Sequence, residues 1–207
     1  MTGYFKDSKK SESKYNYSNI IPNIVLNYVY YKSNGDFQKI LDNIFKDKAG
    51  IKNNSVSFMR MNSNNVVGKY LGKPVELDIL EEGPLRYSFR ASRYDYLRIA
   101  KSIMDDYKND TCVGKYYKEI HKRRIAKKNK GKEYEDPPFS PGTSYGGLFH
   151  MDYAGLKNKV IFGMSGYGGN TVIIDMENSK IVVLNSIHWS NKKYKYNVKK
   201  LLIKPFK

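Results

Sequence analysis

The amino-acid sequence predicts an α+β chain, with helices first and an antiparallel sheet last. Apolar residues recur at helical spacing through residues 18–45 and again through 96–103. Helix-capping residues punctuate those runs. The last third then changes to β-branched apolar segments, two of them separated by Met176-Glu177-Asn178-Ser179, a stretch suited to a hairpin turn.

Taken in order, residues 1–14 form a polar N-terminal segment. Residues 18–32 read as a helix: Ser18 or Asn19 can cap it, Pro22 is tolerated in its first turn, and Ile21, Ile24, Val25, Tyr28 and Val29 share a face. Ser33-Asn34-Gly35 breaks it. Residues 36–45 form a second helix, with Phe37, Ile40, Leu41, Ile44 and Phe45 at helical spacing. It stops near Ala49-Gly50, where glycine can adopt the left-handed conformation that ends helices. Residues 52–86, rich in Asn and Gly, are expected to be loops with short strands. Ser92 and Asp95 make a capping-box pattern ahead of Tyr96, Ile99, Ala100 and Ile103, so a helix is expected to about Tyr107, ended by Asn109-Asp110. Gly114 opens another, expected over residues 115–126, and residues 127–141 read as an exposed loop. Strands are expected at 160–162, 170–175 and 180–186, and residues 196–203 form a basic helix or a final strand. The helical part thus spans about 15–130 and the sheet part about 143–207.

Composition narrows the classes. The chain has 207 residues, 40% of them hydrophobic, enough for a core of ordinary domain size. Its formal net charge is +17, from 37 Lys and Arg against 20 Asp and Glu. Such a surplus raises nucleic acid or an anionic membrane as partners. The Lys excess runs together with abundant Asn, Ile and Tyr along the whole chain, a pattern that codon bias in an AT-rich genome also produces. Residues 115–132 hold nine basic residues and one acidic one, and residues 192–207 hold seven basic and none acidic. A solvated helix face and loop is the preferred reading of the first cluster over a nucleic-acid surface. Cys112 has no partner for an internal disulfide and is expected to be a small buried apolar residue. No apolar stretch reaches the ~18 residues that cross a bilayer. The polar N-terminus lacks the apolar core of a secretory signal, which implies a cytoplasmic protein if the product is whole and an exported one if a signal precedes it. His121, His150 and His188 lack metal-ligand spacing, so neither metal nor cofactor is expected.

Two motifs carry the chemistry: Tyr17-Ser18-Asn19 at the head of the first helix, and Gly163-Met164-Ser165-Gly166-Tyr167-Gly168-Gly169-Asn170 ahead of the hairpin. They resemble the second and third signatures of the serine β-lactamase and penicillin-binding-protein family, in the broad group with class C β-lactamases, esterases and 6-aminohexanoate-dimer hydrolases. Lys48-Ala49-Gly50-Ile51 is similar to that family's Pro-Leu-Gly-Met stop, without the proline. Residues 88–101, with Asp95, resemble its Ser-x-x-Asp-Leu helix start, and Val113-Gly114-Lys115 resembles the start of its next helix. Ser144-Tyr145-Gly146-Gly147-Leu148 resembles its Tyr-Gly-x-Gly strand.

The resemblance implies a β-lactamase/transpeptidase-like fold and amide or ester hydrolysis through an acyl-enzyme, on a small-molecule substrate. It implies that Tyr17 is the tyrosine beside the nucleophile, which acts as a base only when nearby positive charge lowers its pKa from about 10. Asn19 supplies an amide to substrate or lysine. Tyr167 takes the Lys or His position of the strand motif and Gly169 its glycine, while Gly168 and Gly169 let substrate approach the backbone. The N–H of Asn170 serves as one oxyanion donor. The family's first signature, Ser-x-x-Lys in an apolar helix start, has no counterpart, since only sixteen residues precede Tyr17. Ser11 to Lys14 and Ser190 to Lys193 have the spacing but lie in polar surroundings. The expectation is therefore the C-terminal portion of a serine hydrolase domain, inactive alone unless an N-terminal fragment complements it. The alternatives are a non-catalytic remnant that binds a ligand or partner and, less favoured, a basic nucleic-acid-binding protein.

Overall fold

The computed structural model describes residues 31–60, 68–70, 73–75, 87–127, 142–153, 155–156, 158–166, 170–184 and 202–207, together with Val25, Tyr28 and Val29. Within them the chain is α+β: three helices, short strands between them, and a six-stranded antiparallel sheet. Helix α1 is Phe37–Ala49 and begins as expected: the Asp36 side chain accepts the Lys39 N–H. It ends where Gly50 turns left-handed at φ 60° and its N–H reaches back to Lys46 and Phe45 carbonyls. Ahead of it, Val25, Tyr28, Val29, Tyr31 and Lys32 are helical. The shared face expected there does not make a core contact throughout, because Val25 and Tyr28 are exposed.

Strands β1 (Ser57–Arg60) and β4 (Tyr87–Arg90) pair antiparallel, as do β2 (Gly68–Tyr70) and β3 (Lys73–Val75). Helix α2, Arg93–Lys108, starts at Ser92, whose hydroxyl accepts the Asp95 N–H at 3.1 Å and donates to the Asp95 carboxylate at 2.7 Å. Ile51, Val56 and Ile99 close a small core between α1, β4 and α2, with Phe89 edge-on to both Phe45 and Tyr96.

Helix α3 is Cys112–Lys122, three residues earlier than Gly114 suggests, because Thr111 caps it by accepting the Gly114 N–H at 3.0 Å. Gly114 instead lies where α3 crosses α2: a Cβ there would stand 1.9 Å from the Asp106 carbonyl oxygen. Cys112, at the outer start of the helix, is exposed rather than buried. Residues 125–126, expected in the helix, are strand.

The sheet runs β5 (Ile125–Ala126), β6 (Gly142–Gly146), β7 (Phe149–Tyr153), β8 (Ile161–Ser165), β9 (Thr171–Asp175) and β10 (Lys180–Leu184), each strand beside its sequence neighbour. The β9–β10 turn forms as expected: the fully buried Asp175 carboxylate accepts the N–H groups of Glu177 and Asn178 and the Asn178 amide. Helices α2 and α3 cover one face, over Met151, Phe162, Val172, Ile174 and Met176. On the other face, Tyr153, Leu156, Ile161 and Ile173 are covered by Leu202 and Phe206, from the chain end where Lys204–Phe206 forms a 3-10 turn. The alternatives left for residues 196–203 resolve only at their end, where Leu202 and Ile203 are helical; 196–201 lie outside the described residues. Every residue of β9 is buried, as a strand covered on both faces must be.

Candidate functional site

The residues to which the sequence points sit at two places, of which the structure describes one in part. Tyr17, Asn19, Tyr167, Gly168 and Gly169 lie outside the described residues. Asn170 is described. Its carbonyl accepts the Gly166 N–H at 2.8 Å, closing the connection between β8 and β9. At the foot of that connection Ser165 and Thr171 stand opposite each other, and the buried Thr171 hydroxyl donates to the Ser165 hydroxyl at 3.4 Å. The Gly-rich motif therefore spans the end of β8 and the β8–β9 connection.

A second polar group, at the β5–β7 corner, has chemistry that the motifs do not mark. Asp152 adopts a left-handed backbone, φ 53°, which Asp tolerates better than most residues. Its carboxylate accepts from Arg124 Nε at 2.5 Å and from the buried Ser144 hydroxyl, and its carbonyl accepts from Thr143 Oγ1 at 2.5 Å. Arg124 also holds the His121 carbonyl at the C-terminus of α3, at 2.6 Å. Burial alone pushes the Asp152 carboxyl up. The bonds from Arg124 and Ser144, with the Arg124 and His121 charges, outweigh it and hold the carboxyl below its ordinary 3.8. Ser144 spends its proton on a carboxylate already matched by Arg124, so this trio ties α3 to the sheet and does not activate a nucleophile.

On the opposite face, the Lys127 ammonium lies 2.8 Å from Nδ1 of His150, which is only 4% exposed. An ammonium can only donate, so Nδ1 is the acceptor when Lys127 is charged. Tyr145 packs against that ring edge to face, the ring centres 5.0 Å apart and the planes at 67°. Directly across β8 from His150 is Gly163, and a Cβ on Gly163 would fall 1.7 Å from the Tyr153 hydroxyl. That hydroxyl is buried with no hydrogen-bond partner among the described residues, and burial drives its pKa upward.

The sequence signal for this corner is a strand in which His150 and Asp152 alternate with Phe149, Met151 and Tyr153. Among the described residues no three His, Cys, Asp or Glu side chains form a metal-binding group, and no helix is long and apolar enough to cross a membrane. Compared with protein-family models, with curated proteins and with solved structures, the chain matches none.

Proposed function

We propose that this chain is the C-terminal portion of a β-lactamase-related serine hydrolase domain, carrying walls of an acyl-transfer cleft but not its nucleophile. The observation that carries the reading is the order of its parts. Tyr17-Ser18-Asn19, the Gly50 stop, the Ser92-capped helix, the Gly114 helix and the Gly-rich stretch leading into a hairpin come in the sequence that the resemblance requires. In the complete site Tyr17 would act as base beside a Ser and Lys from another segment, Asn19 would orient substrate, and Gly168, Gly169 and the Asn170 N–H would line the oxyanion side. Without Ser and Lys, turnover is negligible, because such groups act as a unit.

The test is reconstitution. The purified chain alone should neither be acylated by a fluorophosphonate nor hydrolyse nitrocefin or p-nitrophenyl esters. Co-expressed with a segment bearing Ser-x-x-Lys in an apolar helix start, encoded beside it, it should co-purify and give a rate above either piece, lost in Tyr17→Phe. No association and no added rate would overturn the split-enzyme form. A second reading, a non-catalytic partner-binding remnant, is favoured by the exposed Val25, Tyr28, Tyr31 and Ile44. It predicts association without turnover.

A further inference from the structure

We propose that the outward face of α3 binds single-stranded nucleic acid; this stands apart from the hydrolase reading and uses none of its residues. Lys115, Lys118 and Lys122 recur at helical spacing on one stripe of α3. Lys115 and Lys122 are exposed and, among the described residues, make no ion pair. Lys118 pairs with Asp110 at 2.7 Å and Arg123 with Glu119, both at the surface, where such pairs contribute little and a phosphate can replace the carboxylate.

Tyr116, 55% exposed, stands on the outward side about 100° around the helix from Lys115. Its ring is tilted 6.1 Å from Tyr117, which in turn is fixed by the edges of Phe149 and Phe162. An exposed aromatic on a rigid base, with Lys115 on the neighbouring stripe and Arg123 two turns on along its own, provides a stacking platform with phosphate contacts within reach. Stacked duplex bases offer no free face to such a ring, so a single strand is the form that fits. An anionic bilayer fits less well: the apolar side chains exposed on this helix are Val113 and Tyr116, with no exposed Leu, Phe or Trp to enter the acyl region. The net charge of +17 draws a polyanion from a distance.

The test is fluorescence anisotropy of the whole chain with a labelled oligothymidylate of about twelve nucleotides, against the same strand in duplex and against phosphatidylserine-containing vesicles. The single strand should bind best, and with about three phosphate contacts its affinity should fall about 18-fold from about 50 to about 200 mM salt. Lys115→Glu with Lys122→Glu should weaken binding at least about tenfold at low salt and flatten the salt dependence. Tyr116→Ala should weaken it about tenfold and leave the salt dependence unchanged. All three positions are exposed, so circular dichroism should match the parent chain. The proposal is overturned if the variants bind as the parent does, if duplex binds as well as the single strand, or if only the vesicles retain the protein.

Discussion

The two faces of the six-stranded sheet are closed by different means. On one, α2 and α3 arrive as a contiguous hairpin and lay Tyr107, Tyr117 and His121 against Phe162, ring upon ring, at 5.8 to 6.4 Å. On the other, the cover is the end of the chain, where Leu202 and Phe206 are tied down by Lys159 to the Phe206 carbonyl and Lys180 to the Pro205 carbonyl. Both covers come from far along the chain: Tyr107, Tyr117 and His121 precede Phe162 by more than 40 positions, and the terminal ties span 47 and 25. What differs is that the helices are internal segments, held by chain on both sides, while the second cover is a free end. A chain end is anchored on one side only and frays more readily than an internal element, so the helix face should be the more persistent of the two, and the terminus the first cover to open.

Removing the terminal anchor tests this most severely. Phe206→Ala, at a wholly buried ring, should cost about 4 kcal/mol in urea unfolding. Hydrogen exchange should then rise on β8 and β9 before it rises on α2. Next in size, Gly114→Ala forces a Cβ into the Asp106 carbonyl and should cost about 3 kcal/mol by separating α2 from α3. If Gly114→Ala loosens the terminal face as much as the helix face, the two are not independent. Smaller and opposite in sign, Tyr153→Phe removes a buried hydroxyl that has no partner among the described residues and should raise stability by about 1 kcal/mol. A loss of stability would mean that the hydroxyl has a partner in solution.

The smallest effect is one of pH. Burial, then the Arg124 charge, hold His121 below its ordinary 6.5, while Asp152 and Glu177 pull weakly the other way. The unfolded chain therefore binds this proton more readily than the native one. The contribution is complete above about pH 6.5 and declines as pH falls below it. Urea midpoints should fall between about pH 6.5 and 5, and less so in His121→Gln.

The features legible in the sequence are those that near neighbours decide. Asp36, Gly50 and Ser92 mark helix ends because each cap is completed within a few residues, and the Asp175 turn is equally local. Thr111 is hidden as a cap because a glycine three residues later looks like the break; in fact that glycine answers to α2 packing. Strand β7 is hard to read for a different reason. Its His150 and Asp152 are polar on both faces of the sheet, and the partners that make them tolerable, Lys127 and Arg124, stand 23 and 28 positions away. Of the site itself, the structure describes Asn170, whose carbonyl closes the β8–β9 connection, while the chemistry assigned to Tyr17, Asn19, Tyr167–Gly169 and the Asn170 N–H rests on motif order.

The exposure of Cys112 has a practical side. It is the chain's one thiol, and it opens α3 one turn before Tyr116. A single maleimide dye would attach there and nowhere else, next to the surface on which an oligonucleotide should stack. Treated with oxidised glutathione as the two-electron oxidant, two copies of this sulfur can be joined through a disulfide, so such preparations should show a covalent dimer on non-reducing gels that Cys112→Ser abolishes.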